Sequence, residues 1–323
     1  MSDSAMTLLG PVPAADLGVT SLHEHLIADD TLADREPDRR YDDPDEMIGE
    51  VREFLSAGGR TITELTCRGL GQDVEALRRI SQESGVQIVA ATGFYREMYY
   101  PEYVSEENSD QLATRMISDW IHGFDGTAIR PGIIAELATE FEAACLSSNE
   151  EKVFRAGARA SLETGLAIST HCWQGGLAME QIRVLTEEGV RPERIVIGHV
   201  AVAHGLLDRV MRIADTGVYL GIDCIGYVLG DWDDADRADM VKALIDRGYL
   251  HQITLSQDMM RRSFLKCRGG HGYSHLLDTF VPMLQERGVT AEEIRTMLVG
   301  TPKRVLTGAR GAGEAQALEQ ERL

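Results

Sequence analysis

The sequence is short of positive charge. It carries 32 lysine and arginine residues against 52 aspartate and glutamate residues, which gives a formal net charge of −20 at pH 7. Nucleic-acid backbones and anionic membranes are bound through basic surfaces, so this composition argues against both kinds of partner. A few local arginines would still suffice to hold a small anion, and the expected partner is therefore a small-molecule substrate.

Long apolar runs and paired cysteines are missing as well. No run of roughly 18 apolar residues occurs, so no transmembrane helix is expected. The opening residues, MSDSAMTLLG, contain neither the basic nor the apolar region of a signal peptide. The five cysteines are scattered and form no C-x-x-C pair, as is usual for reduced thiols: Cys67, Cys145, Cys172, Cys224 and Cys267. We therefore expect a cytoplasmic protein.

The sequence does contain a regular alternation of short aliphatic runs and longer helical patterns. With 323 residues, 43% of them hydrophobic, the chain is long enough for an α/β barrel, which takes about 250 residues. Eight strands are predicted, at 17–23, 61–66, 87–92, 132–137, 166–171, 194–199, 217–223 and 252–258. Eight strands that alternate with helices form either a closed parallel barrel or an open doubly wound sheet.

Capping signals predict where two of the helices begin. Ser148 and Glu151 resemble a capping box in front of a helix at 149–165. Thr290 and Glu293 repeat the signal in front of a helix near the end of the chain. Both pairs have the three-residue spacing that lets the two side chains bond each other's backbone.

Two polar segments stand apart from this alternation. The segment 29–46, DDTLADREPDRRYDDPDE, predicts a long surface loop after the first strand. The last residues, 309–323, are rich in Gly, Ala and Glu and predict a polar C-terminal tail. Residues 1–308 are therefore expected to form a single domain.

Polar side chains stand at or near the ends of five strands. They are His23 and His25 on the first strand, Glu136 on the fourth, His171 on the fifth, His199 on the sixth and Asp258 on the eighth. In a TIM barrel the C-terminal ends of the strands form the active-site face, so these six residues would converge there. Taken singly, each has a simpler explanation, such as a hydrogen-bonded core histidine, an exposed turn, or a helix cap for Asp258 and Asp223. Together they indicate one site.

The chemistry that this set of residues suits is metal binding. Glu136 lies within an apolar strand, where an ionised carboxylate is costly unless a cation meets it. Imidazoles and carboxylates bind zinc and neighbouring transition metals, and six of them suffice for two ions that share a carboxylate. The sequence has no G-x-S-x-G, H-E-x-x-H or G-x-x-x-x-G-K-[ST] motif. A Cys172–His171 nucleophile is disfavoured, because neighbouring strand residues point to opposite faces.

From LGVTSLHEHL to GTPKRVL, nearly the whole chain resembles the phosphotriesterase family of the amidohydrolase superfamily. The resemblance implies a (β/α)8 TIM barrel. It also implies that His23, His25 and Asp258 bind the more buried metal ion, and that His171 and His199 bind the more exposed one.

The bridge between the metal ions departs from much of that family. Its phosphotriesterases and many of its lactonases use a carboxylated lysine on the fourth strand. This chain has four lysines, none of them on that strand: Lys152, Lys242, Lys266 and Lys303. Glu136 takes the role, as in the phosphotriesterase homology protein subgroup and related N-acetyltaurine hydrolases. The segments ATGFYREMYYPEYV, FDGT…RPGIIAELAT and SQDMMRRSFLKCRGGHGYSH are similar to that subgroup.

Each residue that would face the substrate has two possible roles, one in binding and one in the structure of its loop. Tyr95 matches a tyrosine that lactonases of the family place over the metal pair, or it packs a loop. Arg261, Arg262 and Lys266 either clamp an anionic group or form a solvated basic turn. His271 and His275 either line the site or belong to a loop shaped by glycines.

A further departure concerns proton transfer. Phosphotriesterases carry an aspartate after the sixth strand and a histidine at the end of the seventh, where this chain has Val202 and Cys224. His204 is either a substitute or a surface residue. The missing relay lowers the expected rate of phosphotriester cleavage.

The ligand set and the resemblance together imply a binuclear-metal hydrolase. A hydroxide bridging two divalent ions would attack a small lactone or ester, with Asp258 moving the proton and Tyr95 donating to the substrate oxygen. Zinc is expected, with manganese, cobalt or iron as alternatives. The alternative functions are amide hydrolysis of N-acyl amino acid-like compounds, weak phosphotriester cleavage, and ligand binding without catalysis. A homodimer is the expected assembly.

Overall fold

Eight parallel strands, which neighbour one another in chain order, form the centre of the protein. The computed structural model describes residues 4–141 and 143–308. The strands are β1 (Thr20–Glu24), β2 (Thr61–Glu64), β3 (Gln87–Thr92), β4 (Ile133–Ala138), β5 (Ile168–His171), β6 (Ile195–Ile197), β7 (Tyr219–Ile222) and β8 (Ile253–Leu255). The Asp258 N–H donates to the His23 carbonyl oxygen at 3.1 Å, so the two outer strands meet. The sheet nearly closes, which confirms the predicted (β/α)8 barrel and its eight strands and rules out the open sheet.

Helices cover the outside of the barrel. They are α1 (Pro44–Ser56), α2 (Val74–Ser84), α3 (Ser109–His122), α4 (Ser148–Thr164), α5 (Ala178–Glu187), α6 (Leu207–Ala214) and α7 (Asp234–Asp246). After β8, a π-helical turn at Leu276–Phe280 leads into a helix at Val281–Glu286. The chain then forms a helix at Ala291–Arg295, a second π-helical turn at Thr296–Gly300 and a last helix at Thr301–Thr307. Short helices lie at Thr31–Asp34 and Tyr103–Glu106. None of the helices in the described part of the chain has the length and apolar character needed to cross a membrane.

The capping prediction for α4 is wrong by one residue. The capping box is formed by Ser147 and Glu150, whose side chains bond each other's backbone N–H groups. The sequence there, SSNEE, offers two serine–glutamate pairs at the same spacing, so the spacing cannot distinguish them. The second prediction is confirmed, because Thr290 and Glu293 cap the segment that begins at Ala291.

The segment 29–46 is more ordered than the predicted surface loop. Ala28–Asp29 and Arg40–Tyr41 form a two-stranded antiparallel ladder, and the Tyr41 side chain is buried. Next to this ladder the Arg39 guanidinium forms an ion pair with the buried carboxylate of Asp30. Apart from Asp30 and Tyr41, the described residues of the segment are exposed or half-buried, as expected of a surface segment, and its polar residues pair with one another, which orders it. The predicted tail at 309–323 lies outside the described residues.

Apolar side chains close the N-terminal end of the barrel. An N-terminal hairpin, Ser4–Thr7 with Gly10–Pro13, contributes Ala5, and the last helix contributes Val305 and Leu306. These residues pack in one cluster with apolar residues of the barrel strands, among them Leu22, Val89, Ile133 and Val196. Each buried aliphatic side chain of this kind stabilises the fold by about 1.5–3 kcal/mol. The six predicted ligands lie toward the opposite, C-terminal ends of the strands.

Candidate metal centre

The six predicted ligands come together at the C-terminal ends of the strands. The Glu136 Oε1 atom lies 3.3 Å from His23 Nε2, 3.1 Å from His171 Nδ1 and 3.2 Å from His199 Nε2. Five of the six residues are buried, and the Asp258 side chain is 15% exposed. Asp258 Oδ1 lies 3.2 Å from His25 Nε2 and 3.5 Å from His23 Nε2. Four imidazoles and two carboxylates therefore share one small volume.

These residues form overlapping groups in which the ligand atoms lie within 4.8 Å of one another. Two of the groups contain Glu136: one joins it to His23 and His25, the other to His171 and His199. A third joins His23 and His199 to Asp258. A carboxylate that belongs to two groups has the position required of a bridge between two ions.

The donor set fits divalent cations. His171 Nε2 is buried without a hydrogen-bond partner within the described residues, and the buried His23 Nε2 makes no hydrogen bond of good geometry there, although the Glu136 and Asp258 carboxylates lie 3.3 and 3.5 Å away. Among those residues, the groups within 4.0 Å that pair with the Glu136 carboxylate are all imidazoles, and no lysine or arginine is among them. Buried imidazole nitrogens without partners around a buried carboxylate are the arrangement that zinc and similar ions satisfy.

Outer partners hold the imidazole rings in place. The Asp223 carboxylate accepts from His199 Nδ1 at 2.8 Å and from the His199 backbone N–H at 2.9 Å, and it lies 3.6 Å from His23 Nδ1. His25 Nδ1 lies 2.9 Å from the Thr66 hydroxyl oxygen. With their Nδ1 atoms hydrogen-bonded, the rings of His199 and His25 direct Nε2 toward the shared centre, as is usual for metal-binding histidines.

Asp223 is a site residue that the sequence interpretation missed. We considered it a helix cap, but α7 begins eleven positions later and is capped by Asp233. Asp223 is fully buried behind His199. The signal was present in the sequence, since this carboxylate ends the seventh strand just as the predicted ligands end the others.

Glu24 is a second residue whose role the sequence did not reveal. Its carboxylate accepts from the backbone N–H groups of Gln257 and Met259, at 2.8 and 3.2 Å, on either side of Asp258. Burial raises the pKa of Glu24 to about 7. The middle residue of the H-E-H motif therefore joins β1 to the turn that carries Asp258.

The electrostatics keep both carboxylates of the centre ionised. Burial alone would raise the pKa of Glu136, but the charge of His23 and the hydrogen bonds of His171 and His199 hold it well below its ordinary value. Burial likewise opposes ionisation of Asp258, and the neighbouring histidines, His23 first, lower its pKa to about 2. Burial disfavours a proton on His23, yet Glu136 and Asp258 raise its pKa to about 9. The two ionised carboxylates therefore favour the binding of cations at neutral pH.

A cavity of about 400 Å³ opens above the centre and includes Glu136, His171 and Asp258 in its floor. Its walls are mainly apolar, formed by the aromatic residues Tyr95, Phe141, Trp173, Tyr227 and Phe264 and by Leu70, Val228, Leu229 and Met260. Two cationic residues, Arg39 and Arg261, also border it. The volume and the apolar lining are those of a site for a small organic molecule.

Tyr95 lies in the wall of this cavity. Its ring stands edge-on to the His171 ring, with the centroids 5.2 Å apart, and packs against Tyr99 at 5.5 Å. Burial and the nearby carboxylates raise the pKa of Tyr95 well above its ordinary value, so the hydroxyl keeps its proton. The residue is placed to touch a substrate, and its role as a donor stays a prediction.

The basic residues after β8 separate into two groups. Arg261 borders the cavity, and its Nη1 atom lies 2.7 Å from Glu36 Oε2. Arg262 is not among the described residues that line the cavity, and its guanidinium lies 3.6 Å from the Glu46 carboxylate. Lys266 pairs with Glu53 at 3.1 Å, as expected of a solvated turn.

Three further histidines, His204, His271 and His275, stand away from the cavity lining that the structure describes. The His271 ring packs on His275 at 4.7 Å and on Phe264 at 4.9 Å, behind the cavity wall. His275 Nε2 lies 2.7 Å from Asp234 Oδ2. His204 is half exposed and lies 3.6 Å from Asp231 at the surface. The structure therefore does not bring these three residues to the predicted ligands.

The (β/α)8 barrel brings imidazoles and carboxylates together at the C-terminal ends of its strands, beneath a cavity for a small molecule. This combination is typical of one class of enzyme, the metal-dependent hydrolases. Comparison with known proteins specifies the class further. The sequence model of the phosphotriesterase family matches residues 3–306, and the chain belongs to this family. The family depends on a binuclear metal centre, and the clusters around Glu136 are suited to hold one.

Individual relatives carry several different names. The chain is 35% identical to the phosphotriesterase homology protein of Escherichia coli over 285 residues, which cover 88% of this chain and 96% of the relative. It is 32% identical to an N-acetyltaurine hydrolase of Dictyostelium discoideum over 270 residues, covering 80% and 72% of the two chains. The crystal structure of a lactonase from Listeria monocytogenes superposes with a TM-score of 0.86 at 26% identity, covering 95% of this chain and 100% of that one.

Proposed function

We propose that this protein hydrolyses a small, uncharged lactone or ester with the help of two divalent metal ions. The observation that supports the proposal is that Glu136 is shared by two groups of ligands directly beneath an apolar cavity. His23, His25 and Asp258 would hold one ion, His171 and His199 the other, and Glu136 both. Zinc is the proposed metal, with manganese, cobalt or iron as alternatives that imidazole and carboxylate also accept.

Bound ions of this kind lower the pKa of a water molecule from 15.7 to about 7 and polarise a carbonyl oxygen, which provides a nucleophile at neutral pH. The protein's own residues would move the protons. The Asp258 carboxylate is ionised, is held by His25, and borders the cavity, so it can accept a proton from the attacking water and deliver it to the leaving group. The protonated Tyr95 hydroxyl would donate to the developing oxyanion.

The charge of the cavity favours an uncharged substrate. Each of its two arginines already has a carboxylate partner, Asp30 for Arg39 and Glu36 for Arg261. The remaining walls are aromatic and aliphatic. An apolar acyl group or lactone ring would therefore be bound without displacing an ion pair, and the similarity to a lactonase structure supports the same choice.

Amide hydrolysis of an anionic N-acyl compound is the second candidate. Arg39 and Arg261 do border the cavity, and a guanidinium can exchange one carboxylate partner for another. The similarity to an N-acetyltaurine hydrolase points in this direction. Phosphotriester cleavage is the third candidate and is expected to be slow. Burial raises the pKa of the Cys224 thiol, which therefore makes a poor substitute for a histidine relay.

The experiment that tests the proposal is hydrolysis of a mixed panel by the zinc- or manganese-loaded protein, followed by mass spectrometry. Lactones, simple esters, N-acyl amino acids, N-acyl sulfonates and phosphotriesters form the panel. Asp258→Asn should abolish turnover while metal stays bound, whereas the control Asp278→Asn, at an exposed position, should change nothing. Preferred cleavage of anionic amides would replace the first candidate with the second, and full activity of Asp258→Asn would refute the assigned proton transfer.

Three broader predictions go with this function. We propose that residues 1–308 act as one catalytic domain, that the protein is a homodimer, and that it works in the cytoplasm without nucleic-acid or membrane partners. Light scattering of the purified protein tests the assembly, and fractionation of cells tests the location.

A further inference from the structure

Tyr227 occupies an unusual position beside the proposed proton acceptor. It lies in the loop after β7 and borders the cavity. Its hydroxyl donates to the carbonyl oxygen of Asp258 at 2.7 Å and accepts from the backbone N–H of Met260 at 3.0 Å. One phenol oxygen therefore joins both ends of the short turn that carries Asp258.

This turn needs to be held, because its backbone conformation is disfavoured. Asp258 has φ of +53°, in the left-handed region that residues with a Cβ atom rarely adopt. On the side of the barrel, Glu24 accepts from Gln257 and Met259, as described above. On the side of the cavity, Tyr227 makes the corresponding bonds. The carboxylate of Asp258 is directed at the metal centre from a turn that is fixed on two sides.

Tyr227 is itself anchored by a buried network. Its carbonyl oxygen accepts from Arg237 Nη1 at 2.7 Å, and the fully buried Arg237 pairs with Asp234 at 3.1 Å. Asp234 also accepts from the Gly226 N–H at 2.9 Å and lies 2.7 Å from His275 Nε2. The loop after β7 thus has little freedom to move the phenol.

The Tyr227 ring is held as well. It stands edge-on to Phe264, with the centroids 4.7 Å apart, and removal of the hydroxyl alone would leave this contact in place. The phenol oxygen can therefore be tested separately from the ring.

We propose that Tyr227 is a positioning residue for Asp258: it fixes the turn so that the carboxylate points at the leaving group during proton transfer. The inference rests on the proposed function, because it assumes that Asp258 moves the proton. Proton transfer depends steeply on placement, and a displacement of about 1 Å can cost as much as about 100-fold in rate. Tyr227 contributes through the backbone of Asp258, because its hydroxyl bonds backbone groups of the turn and not the ligand side chain.

The test compares Tyr227→Phe with the wild type and with Tyr249→Phe. Tyr249 is a matched control, because its hydroxyl bonds Asp215 at 2.7 Å on the protein surface, away from the cavity lining. In Tyr227→Phe we expect kcat to fall about tenfold with KM nearly unchanged and the metal content intact. In a series of aryl esters or lactones, kcat/KM should depend more steeply on the leaving-group pKa, because poor leaving groups need the proton most.

Hydrogen exchange provides a readout without turnover. The Met260 amide loses its acceptor in Tyr227→Phe, so the peptide around residues 258–260 should exchange faster than in the wild type and in Tyr249→Phe. If Tyr227→Phe does not fold, Asp234→Asn weakens the anchor of the same loop, and it should steepen the leaving-group dependence in the same direction.

The outcomes separate the two proposals. If Asp258→Asn is inactive while Tyr227→Phe matches the wild type in rate and exchange, the positioning role is refuted and the proposed function stands. If Tyr227→Phe loses activity equally for all leaving groups together with its metal, its role is structural and the inference fails. If Asp258→Asn is fully active, the assigned proton transfer and the positioning role are both refuted, while hydrolysis by the metal-loaded protein is still judged by the substrate panel.

Discussion

Replacement of the shared carboxylate, Glu136→Gln, is the perturbation that addresses the metal centre most directly. The amide has nearly the same size and shape, so the change removes one negative charge with little effect on packing. In the structure that charge lies 3.1–3.3 Å from nitrogens of three histidines. Ions held by those nitrogens would lose the only carboxylate that both ligand groups share among the described residues.

The size of the effect follows from Coulomb's law. A unit charge about 4 Å from a divalent ion contributes about 8 kcal/mol at an effective dielectric constant of about 20, twice the value for two unit charges. Since about 1.4 kcal/mol corresponds to a factor of ten, each ion should bind about 100- to 1,000-fold more weakly once part of the gain is offset by the easier burial of a neutral amide.

Competition with a chromogenic chelator measures the zinc dissociation constants of the wild type and the variant. Glu140→Gln is the matched control, because Glu140 lies four positions along the chain and pairs with Arg96 outside the centre. Its zinc affinity should be unchanged. Two zinc ions bound by Glu136→Gln within about threefold of the wild-type affinity would refute the bridging role.

Three further predictions concern the surroundings of the centre. Asp223→Asn should lower metal affinity or turnover about 10- to 100-fold, because His199 loses the carboxylate that orients it, and metal titration of the variant checks this. Burial raises the pKa of Glu64 from 4.5 to about 7, so the folded metal-free protein binds this proton more tightly than the unfolded chain. Its unfolding free energy should therefore fall as pH rises from about 4.5 through 7, by up to about 3 kcal/mol, and Glu64→Gln should remove that part of the slope in urea titrations. Phe154→Ala, in the fully buried layer between α4 and the sheet, should destabilise the fold by about 3–5 kcal/mol in the same titrations, with the metal stoichiometry unchanged.

The sequence carried enough information to predict the barrel and the convergence of the six predicted ligands. Buried strands can be recognised in the sequence as short aliphatic and β-branched runs, and the C-terminal ends of parallel strands share one edge of the sheet. A residue such as His171 could therefore be placed near His199 without knowledge of any contact between them. Their function as metal ligands remains a prediction that the titrations above will test.

The outer partners were beyond such reasoning, because they depend on side-chain contacts between distant segments. Thr66 meets His25 across 41 positions, and Glu24 meets the backbone of Gln257 across 233. Arg39 borders the cavity because the polar segment that contains it forms a two-stranded ladder, Ala28–Asp29 with Arg40–Tyr41. Local sequence patterns indicate whether a segment is a helix or a strand and where a helix is capped. They do not indicate which buried polar atoms form hydrogen bonds with one another.

The near closure of the sheet has a consequence for the order in which the centre is assembled. Glu136 and His171 lie on β4 and β5 and His199 follows β6, so the outer members of this group are 63 positions apart, whereas His23 lies on β1 and Asp258 follows β8. A nascent chain could collect the first group long before its eighth strand has left the ribosome, while the second exists only once the two ends of the sheet have met. Because closing the longer loop costs more entropy, transient opening of the seam between β1 and β8 would separate His23 and His25 from Asp258 first. Of two ions held as proposed, one would therefore depend on the middle of the barrel and the other on the meeting of its first and last strands.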